Sequence, residues 1–126
     1  MASILVVDDA EYLRAALRRW LELEGHTVIE AEDGDGCLAQ LKTTVPDLVI
    51  LDIFMPGKDG IETIRAIRKL GTGIKIIAIT GQPAGGTDYL EFAKALGADR
   101  GLRKPFSSEQ LFSMIESLIG TAPAVT

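Results

Sequence analysis

The sequence predicts an α/β fold in which one parallel sheet is covered by helices on both faces. Short apolar runs of strand length alternate five times with longer stretches whose apolar residues recur at helical spacing. The short runs are apolar at successive positions, as is typical of strands that are buried on both faces of a parallel sheet. With 126 residues the chain favours a single domain, since domains most often contain ~100–150 residues.

The strands are predicted where branched apolar residues cluster between turn residues. They cover residues 4–7, 27–31, 47–52, 74–80 and 99–102. The third run follows Pro46 and ends on a carboxylate, Asp52, although the four residues before that carboxylate are apolar. A charge at the end of a buried strand needs a reason, and a functional site provides one.

The helices are predicted from apolar stripes with recognisable ends. They cover residues 10–24, 36–42, 60–70 and 87–96, followed by a last helix that Ser107 caps and that runs to residue 118. Gly25 and Gly97 end the first and fourth helices, and Asp59 with Glu62 forms a capping box at the start of the third. The positions predicted to face the sheet are Leu13, Leu17, Trp20, Leu21 and Leu23 in the first helix, Leu38 and Leu41 in the second, and Ile61, Ile64, Ile67 and Leu70 in the third.

Five strand–helix units in series restrict the topology. Each crossover between parallel strands is expected to be right-handed, which leaves few arrangements. The prediction is a flavodoxin-like (βα)5 doubly wound sheet with the strand order 2-1-3-4-5, an order taken from known doubly wound folds and not from the residues themselves. In such sheets ligands bind at the carboxyl ends of the strands, beside the point where the strand order reverses. Here that point lies between strands 1 and 3.

The composition limits the kinds of partner and location. A net charge of −5 and a pI of about 4.8 argue against direct nucleic-acid binding, which needs clustered Lys and Arg. No apolar run approaches the ~18 residues of a membrane span, and the start of the chain lacks the basic segment and cleavage signal of a secretory peptide. A single cysteine, Cys37, excludes an internal disulfide. We therefore predict a cytoplasmic protein with one domain over residues 1–120 and a short flexible tail over residues 121–126.

Five polar side chains lie at the carboxyl ends of four predicted strands. Asp8 and Asp9 follow strand 1, Asp52 ends strand 3, Thr80 ends strand 4 and Lys104 follows strand 5. Two unit charges ~4 Å apart at an effective dielectric of ~20 repel by about 4 kcal/mol, so three clustered carboxylates need a cation or protonation. Oxygen ligands favour Mg²⁺, and the Lys104 ammonium suits an anion that arrives at the site.

These residues together suggest phosphoryl chemistry. A carboxylate such as Asp52 can act as a nucleophile and form an aspartyl phosphate, while Mg²⁺ and Lys104 hold the phosphoryl oxygens and Thr80 donates a hydrogen bond. Taken singly, each residue has an ordinary explanation: a helix cap for the Asp8–Asp9 pair, a turn residue for Asp52, β propensity for Thr80 and solvated surface for Lys104. Their coincidence at one edge of the sheet favours the functional interpretation.

Four segments carry a resemblance to a known family. "VVDDA", "LVILDIFMPGKDG", "IIAIT" and "GLRKPF" resemble the receiver domains of two-component response regulators, and the resemblance covers residues 3–119. It implies that Asp52 accepts a phosphoryl group from a phosphohistidine on a histidine kinase or histidine phosphotransfer protein. It implies that Thr80 and Lys104 contact that group, and that the Lys104–Pro105 peptide bond is cis. The signal would then pass to a downstream protein target through altered protein–protein contacts.

The resemblance also implies a set of metal ligands. Asp9 would bind Mg²⁺ directly and Asp8 largely through water. Asp52 and the backbone carbonyl of Phe54 would complete the protein ligands. This set agrees with the three carboxylates that the strand ends place together, and it adds a backbone oxygen that the spacing alone does not indicate.

Two further features are interpreted through the resemblance. Many receivers carry, on strand 5, a Tyr or Phe that turns inward when the Thr moves, and the alignment places Gly101 at that position. Tyr89 and Phe92 on the preceding helix are a hypothesis for a substitute face. Three arginines on the first helix are predicted to form a solvated face that can belong to a kinase-docking surface: Arg14, Arg18 and Arg19.

Two other functions remain open on the residues alone. A haloacid-dehalogenase-like phosphohydrolase also uses an Asp nucleophile with Mg²⁺, but it carries a second Asp two residues later, where this chain has Phe54. A receiver-like scaffold would bind partners without phosphorylation; intact Asp52, Thr80 and Lys104 argue against it, and Gly101 leaves room for it. We predict a switch that is not an enzyme, in that it catalyses only its own phosphorylation and dephosphorylation. We also predict no direct contact with nucleic acid or membrane.

Overall fold

The computed structural model describes residues 2–53, 60–81 and 89–120. Five strands alternate with five helices along this part of the chain, as the sequence predicts. The strands are β1 Ser3–Val7, β2 Thr27–Ala31, β3 Leu48–Asp52, β4 Lys75–Thr80 and β5 Arg100–Arg103; the helices are α1 Glu11–Leu23, α2 Gly34–Leu41, α3 Gly60–Lys69, α4 Tyr89–Leu96 and α5 Ser108–Ile119. Every strand and helix overlaps its predicted range.

The strands form one parallel sheet in the order β2-β1-β3-β4-β5. This confirms the predicted flavodoxin-like fold and its strand order. β1 is paired on both sides, since Ile4 lies opposite Val28 of β2 and opposite Leu48 of β3. The chain therefore leaves β1 toward one side of the sheet and returns to the other side at β3, and the strand order reverses between these two strands.

Helices cover both faces of the sheet, because alternate strand residues point to opposite faces. α1 and α5 cover one face, where the buried residues include Ile4, Val6, Leu17, Ile50 and Leu111. α2, α3 and α4 cover the other face, where the buried residues include Leu5, Val7, Cys37, Ile64 and Ala93. A strand with helices on both faces is apolar at successive positions, which explains the sequence pattern. The sheet is thus a rigid support for the side chains at its edges.

Two predicted core positions are exposed. Leu23 is 73% exposed and Leu70 is 52% exposed, although the apolar stripes predict both to face the sheet. Leu23 follows the buried Leu21 by two residues, which is ~200° around a helix and points it away from the sheet. Leu70 lies beyond Lys69, the last residue of α3. The other predicted positions are buried or partly buried against the core.

Side-chain caps define two of the helix starts. Ser107 accepts a hydrogen bond from the backbone N–H of Gln110, whose side chain accepts one from the Ser107 N–H, so the predicted cap of α5 is confirmed as a capping box. Asp33 accepts from the N–H of Gly36 at 2.7 Å, and α2 therefore begins earlier than the sequence predicts. Two predicted features lie outside the described residues: the Asp59 cap and the 121–126 tail.

Candidate functional site

Strand pairing brings the predicted site residues to one edge of the sheet. Asp52 is the last residue of β3, Thr80 is the last residue of β4, Asp8 follows β1 and Lys104 follows β5. Since the strands are parallel, their carboxyl ends lie at the same edge. The backbone N–H of Lys104 donates to the Thr80 carbonyl at 2.8 Å, which holds the segment after β5 against the end of β4. The Lys104–Pro105 peptide bond is cis, as expected.

Asp8, Asp9 and Asp52 form an acidic cluster. Each offers a carboxylate oxygen, and these oxygens lie within 4.8 Å of one another. Asp8 and Asp52 are only 2% and 5% exposed, whereas Asp9 is exposed to solvent. Buried carboxylates this close repel one another strongly, because little water screens them. The predicted convergence of the three acids is confirmed.

Lys104 partly neutralises the acidic cluster. Its Nζ donates to Oδ2 of Asp52 at 3.0 Å and to Oδ2 of Asp8 at 3.3 Å. Burial lowers the pKa of the Lys104 ammonium, but the hydrogen bonds and negative charges of Asp52 and Asp8 outweigh burial, so that pKa is raised on balance. The ammonium group is therefore charged at neutral pH. A phosphoryl group attached to Asp52 would meet this positive charge directly.

The electrostatic balance at Asp8 favours the neutral carboxyl, mainly because that carboxyl is buried. Burial is the largest effect and raises the pKa of the Asp8 carboxyl, and the nearby Asp52 carboxylate raises it further. The Ala10 N–H, which donates to Oδ1 at 2.8 Å, and the Lys104 ammonium both lower it. On balance the Asp8 pKa is raised. A divalent cation would offset the repulsion between the clustered carboxylates, and an all-oxygen donor set fits Mg²⁺. The residues present fit the predicted ion, while the predicted Phe54 carbonyl ligand lies outside the described residues.

The start of α3 packs against the strand end that carries Asp52. A Cβ added to Gly60 would lie 2.3 Å from Cα of Ile53 and 2.9 Å from the Asp52 carbonyl oxygen. The backbone N–H of Gly60 donates to the Ile53 carbonyl at 3.2 Å. Gly60 therefore helps to set where Asp52 lies, because a larger residue would push the helix and the strand end apart. The only sequence signal for this contact is a glycine at the start of a helix.

An arginine on α1 contacts the backbone of the acidic cluster. Nη1 of Arg14 donates to the Asp8 carbonyl at 2.6 Å, and its Nε donates to Oε1 of Glu30 at 3.3 Å. The Arg14 side chain is 13% exposed, so the prediction of a solvated face is wrong for this residue. Arg18 is 44% exposed and Arg19 is exposed, as that prediction expects. The sequence signal for this contact is Glu30, an acid within a mostly apolar strand, which needs a basic partner.

Leu90 of α4 occupies the space beside Gly101. A Cβ added to Gly101 would lie 3.1 to 3.4 Å from side-chain atoms of Leu90, which is buried. Phe92 is about half exposed, and the side chain of Tyr89 lies outside the described part of the chain. An aliphatic residue therefore packs on β5 where many receivers carry an aromatic ring. The substitute face of Tyr89 and Phe92 stays a prediction.

The sequence model of the response regulator receiver domain matches residues 4–116. The chain belongs to this family. The match extends from β1 through most of α5 and so includes every residue of the candidate site. The resemblance inferred from the four sequence segments is therefore confirmed, and the chain is a receiver domain.

Relatives and solved structures agree with this assignment. The receiver domain is 38% identical over 121 residues to the transcriptional regulatory protein ResD of Bacillus subtilis, which covers 95% of this chain and 49% of that protein. It is 37% identical over 118 residues to the response regulator MprA of Mycobacterium ulcerans, with 92% of this chain and 49% of that protein covered. The structure of chemotaxis protein CheY4 of Vibrio cholerae matches with a TM-score of 0.86 at 30% identity, covering 94% of this chain and 99% of that chain. The chain spans about half the length of the two curated relatives.

These similarities favour one of the predicted functions. Receiver domains of two-component response regulators are phosphorylatable signalling switches that bind Mg²⁺ at an acidic pocket and interact with histidine kinases. The phosphohydrolase and scaffold alternatives are not favoured. ResD is named a transcriptional regulatory protein. If the expectation of no nucleic-acid partner is applied to a whole regulator and not only to its receiver domain, it conflicts with that name. Among the described residues, no helix combines the length and the apolar composition that crossing a membrane requires.

Proposed function

We propose that this receiver domain accepts a phosphoryl group on Asp52 from a phosphohistidine of a histidine kinase or histidine phosphotransfer protein. The observation that supports this role is the Lys104 ammonium, which lies 3.0 Å from the Asp52 carboxylate and also contacts the buried Asp8. A carboxylate oxygen of Asp52 attacks the phosphorus atom, and the phosphorus–nitrogen bond breaks. Its electron pair stays on the nitrogen of the donor's protonated imidazole ring, which leaves as neutral histidine. The product on this chain is an acyl phosphate.

The side chains around Asp52 each have one task in this transfer. Lys104 changes partner, from the Asp52 carboxylate to a phosphoryl oxygen. Thr80, buried at the end of β4, donates its hydroxyl hydrogen to another phosphoryl oxygen. Asp9 would bind Mg²⁺ directly and Asp8 largely through water, while Asp52 and the Phe54 carbonyl would complete the set. The ion would supply positive charge to the phosphoryl oxygens. With these groups the domain catalyses only its own phosphorylation and dephosphorylation.

Phosphorylation biases the domain between two conformations and so alters its contacts with a downstream protein. Moving an equilibrium from 1:99 to 99:1 requires ~5.5 kcal/mol of differential stabilisation. The new contacts from Lys104 and Thr80 to the phosphoryl group contribute to it. The switch acts in the cytoplasm, and residues 1–120 form its receiver domain. The net charge of −5 supports protein contacts, and not nucleic-acid contacts, for this domain.

Intact-mass measurement with a small phosphoryl donor tests the proposal. Incubation with Mg²⁺ and acetyl phosphate should add the mass of one phosphoryl group to the wild type and nothing to Asp52→Asn. Asp47→Asn is the matched control, because Asp47 is exposed near the other end of the same strand, where its carboxylate accepts from the Ser3 N–H at 2.8 Å. This control should gain the group as the wild type does. Equal labelling of Asp52→Asn would show that another residue is the nucleophile.

A further inference from the structure

We propose that Arg14 is a positioning residue for the Mg²⁺ ligands, because it holds the turn between β1 and α1 that carries Asp8 and Asp9. This inference rests on the proposed function, since it concerns the same metal site. Nη1 of Arg14 donates to the Asp8 carbonyl oxygen at 2.6 Å. That oxygen belongs to the planar peptide group that joins Asp8 to Asp9. A donor that fixes this oxygen therefore fixes the orientation of one residue relative to the other.

The turn is restrained on both sides of this peptide group. The Asp8 N–H donates to the Ala31 carbonyl at 3.2 Å, and Asp8 Oδ1 accepts from the Ala10 N–H at 2.8 Å. α1 then begins, since the Ala10 carbonyl accepts from the N–H of Arg14 at 3.0 Å. Asp9 lies between these points and is exposed, so packing does not hold its carboxylate. Arg14 supplies the restraint on the peptide group that leads into Asp9.

Arg14 is itself held in place. Its Nε donates to Oε1 of Glu30 at 3.3 Å, and Nη1 of Arg18 donates to Oε2 of the same carboxylate at 2.7 Å. Glu30 lies on β2, which pairs with β1, so the guanidinium of Arg14 joins α1, the turn and the neighbouring strand. Arg18 shares the carboxylate of Glu30 and also bonds Glu22, and these described contacts do not involve the turn. Arg18 is therefore the matched control for Arg14.

The charge of Arg14 and its hydrogen bond act on Mg²⁺ binding in opposite directions. A guanidinium beside the acidic cluster repels a cation, so loss of the charge alone would strengthen Mg²⁺ binding. Loss of the hydrogen bond would let the ligands adopt more orientations and so weaken binding. Changes to groups that orient metal ligands typically cost ~10–100-fold in metal affinity. The sign of the change in Mg²⁺ affinity therefore separates the two effects.

Calorimetric titration with Mg²⁺ alone measures this sign. We expect Arg14→Gln to weaken Mg²⁺ binding about tenfold, at the lower end of the range for groups that orient ligands. Arg14→Lys should weaken it less, because an ammonium keeps the charge and can keep one hydrogen bond. Arg18→Gln should bind Mg²⁺ within about twofold of the wild type, because the bond to Asp8 survives. At saturating Mg²⁺, the rate at which acetyl phosphate labels Arg14→Gln should return close to that of the wild type.

Unchanged or tighter Mg²⁺ binding by a folded Arg14→Gln protein would overturn the inference. A lower Tm in Mg²⁺-free buffer together with unchanged binding would assign Arg14 to stability alone. Should circular dichroism show Arg14→Gln to be unfolded, Arg14→Lys decides the question, because it keeps the positive charge and replaces the fixed guanidinium donors, so that a change in binding reports the hydrogen bond and not the charge. This variant should also weaken Mg²⁺ binding, and unchanged binding would count against the inference.

The proposed function can fail independently of this inference. A wild-type protein that binds Mg²⁺ but gains no phosphoryl group on Asp52 would overturn the function and leave the role of Arg14 to be decided by the Mg²⁺ titrations. A wild-type protein that binds no Mg²⁺ would overturn both. Normal labelling of the wild type with normal Mg²⁺ binding by Arg14→Gln would overturn the inference alone.

Discussion

The carboxyl and amino edges of the sheet both hold charged side chains, but they balance the charges differently. At the carboxyl edge, within the described part of the chain, the acidic cluster contacts one ammonium group, that of Lys104. At the amino edge Nη2 of Arg68 lies 2.8 Å from Oδ2 of Asp99, and the same oxygen accepts from the Ile76 N–H at 2.8 Å. Nε of Arg68 also donates to the Gly97 carbonyl at 2.8 Å. Counting the described residues alone, the carboxyl edge thus has three clustered carboxylates and one ammonium group, whereas the amino edge has a matched pair surrounded by backbone partners.

This difference shows how similar chemical groups serve different purposes. The matched pair is satisfied within the protein, and it stabilises the packing of α3 against the starts of β4 and β5. The acidic cluster holds more negative charge than the described residues neutralise, and the repulsion between its carboxylates opposes folding until a cation binds. The balance of charge, and not the mere presence of buried charge, therefore distinguishes a functional site from a structural one in this fold.

Lys104→Met should have the largest effect on function. Removal of the ammonium takes one of the two positive partners from the phosphoryl oxygens and leaves only Mg²⁺, and loss of one such contact to developing charge typically costs ~10²–10³-fold in rate. The initial rate of labelling at saturating Mg²⁺ and acetyl phosphate measures this loss. Lys75→Met is the control, because Lys75 is exposed at the opposite end of β4. Labelling of Lys104→Met at the wild-type rate would show that the Lys104 ammonium does not assist phosphorylation, and the charges at the carboxyl edge would then have no demonstrated functional role.

Gly60→Ala tests the geometry of the carboxyl edge without changing its charge. We expect a loss of about 2–3 kcal/mol in the free energy of unfolding, since overpacking a well-packed site costs ~1–3 kcal/mol and the added Cβ would lie 2.3 Å from Cα of Ile53. Urea denaturation measures the change. Gly81→Ala is the control, because a Cβ there would lie 3.6 Å from Cδ of Lys104, an ordinary contact. A Gly60→Ala protein as stable as the wild type would show that α3 can shift away from the strand end at little cost.

The sequence predicts the strands whose ends form both edges of the sheet. It does not predict the contacts that helices make with those strand ends. Strands that are buried on both faces leave a continuous apolar pattern, and parallel pairing brings Asp52 and Thr80 together whatever the loops do. The hydrogen bond from Arg14 to Asp8 and the approach of Gly60 to Ile53 depend on distances between elements, which no spacing along the chain records. Residues 14 and 60 therefore look like ordinary helix positions until the fold is known, and Glu30 indicates only that some basic partner is needed.

Arg68→Met should reduce stability and leave metal binding unchanged. The substitution breaks the pair with Asp99 and removes donors from the Gly97 and Ile74 carbonyls. Since both charged side chains are partly exposed, we expect a loss of about 2 kcal/mol, below the ~3–5 kcal/mol for breaking a fully buried pair. Urea denaturation measures the stability and Mg²⁺ titration the affinity. Arg65→Met, at an exposed position of α3, is the control.

An altered Mg²⁺ affinity in Arg68→Met would contradict the separation of the two edges. It would mean that the amino edge sets the position of the acidic cluster through the strands. A loss of stability equal to that of Arg65→Met would mean instead that water replaces the guanidinium without cost, so that the matched pair does not stabilise the fold.

Asp8→Asn should have the smallest effect, and its sign should depend on Mg²⁺. In Mg²⁺-free buffer the amide removes one negative charge from the acidic cluster and can still accept from the Ala10 N–H. We expect a gain of about 1 kcal/mol in the free energy of unfolding, near the lower end of the ~1–4 kcal/mol for unit charges ~4 Å apart. The gain is small because Lys104 loses the attraction of a carboxylate that lies 3.3 Å away.

With saturating Mg²⁺ the order should reverse, because the wild type gains the free energy of metal binding and Asp8→Asn has lost one of the negative charges that attract and hold the ion. Urea denaturation in the presence of a chelator and then of Mg²⁺ measures both values on the same proteins. Arg68→Met should be less stable than the wild type in both buffers, because the Arg68–Asp99 pair that it breaks needs no ion. If Asp8→Asn is less stable than the wild type in both buffers, then the negative charge at the carboxyl edge is already compensated within the protein, and charge balance does not separate the two edges.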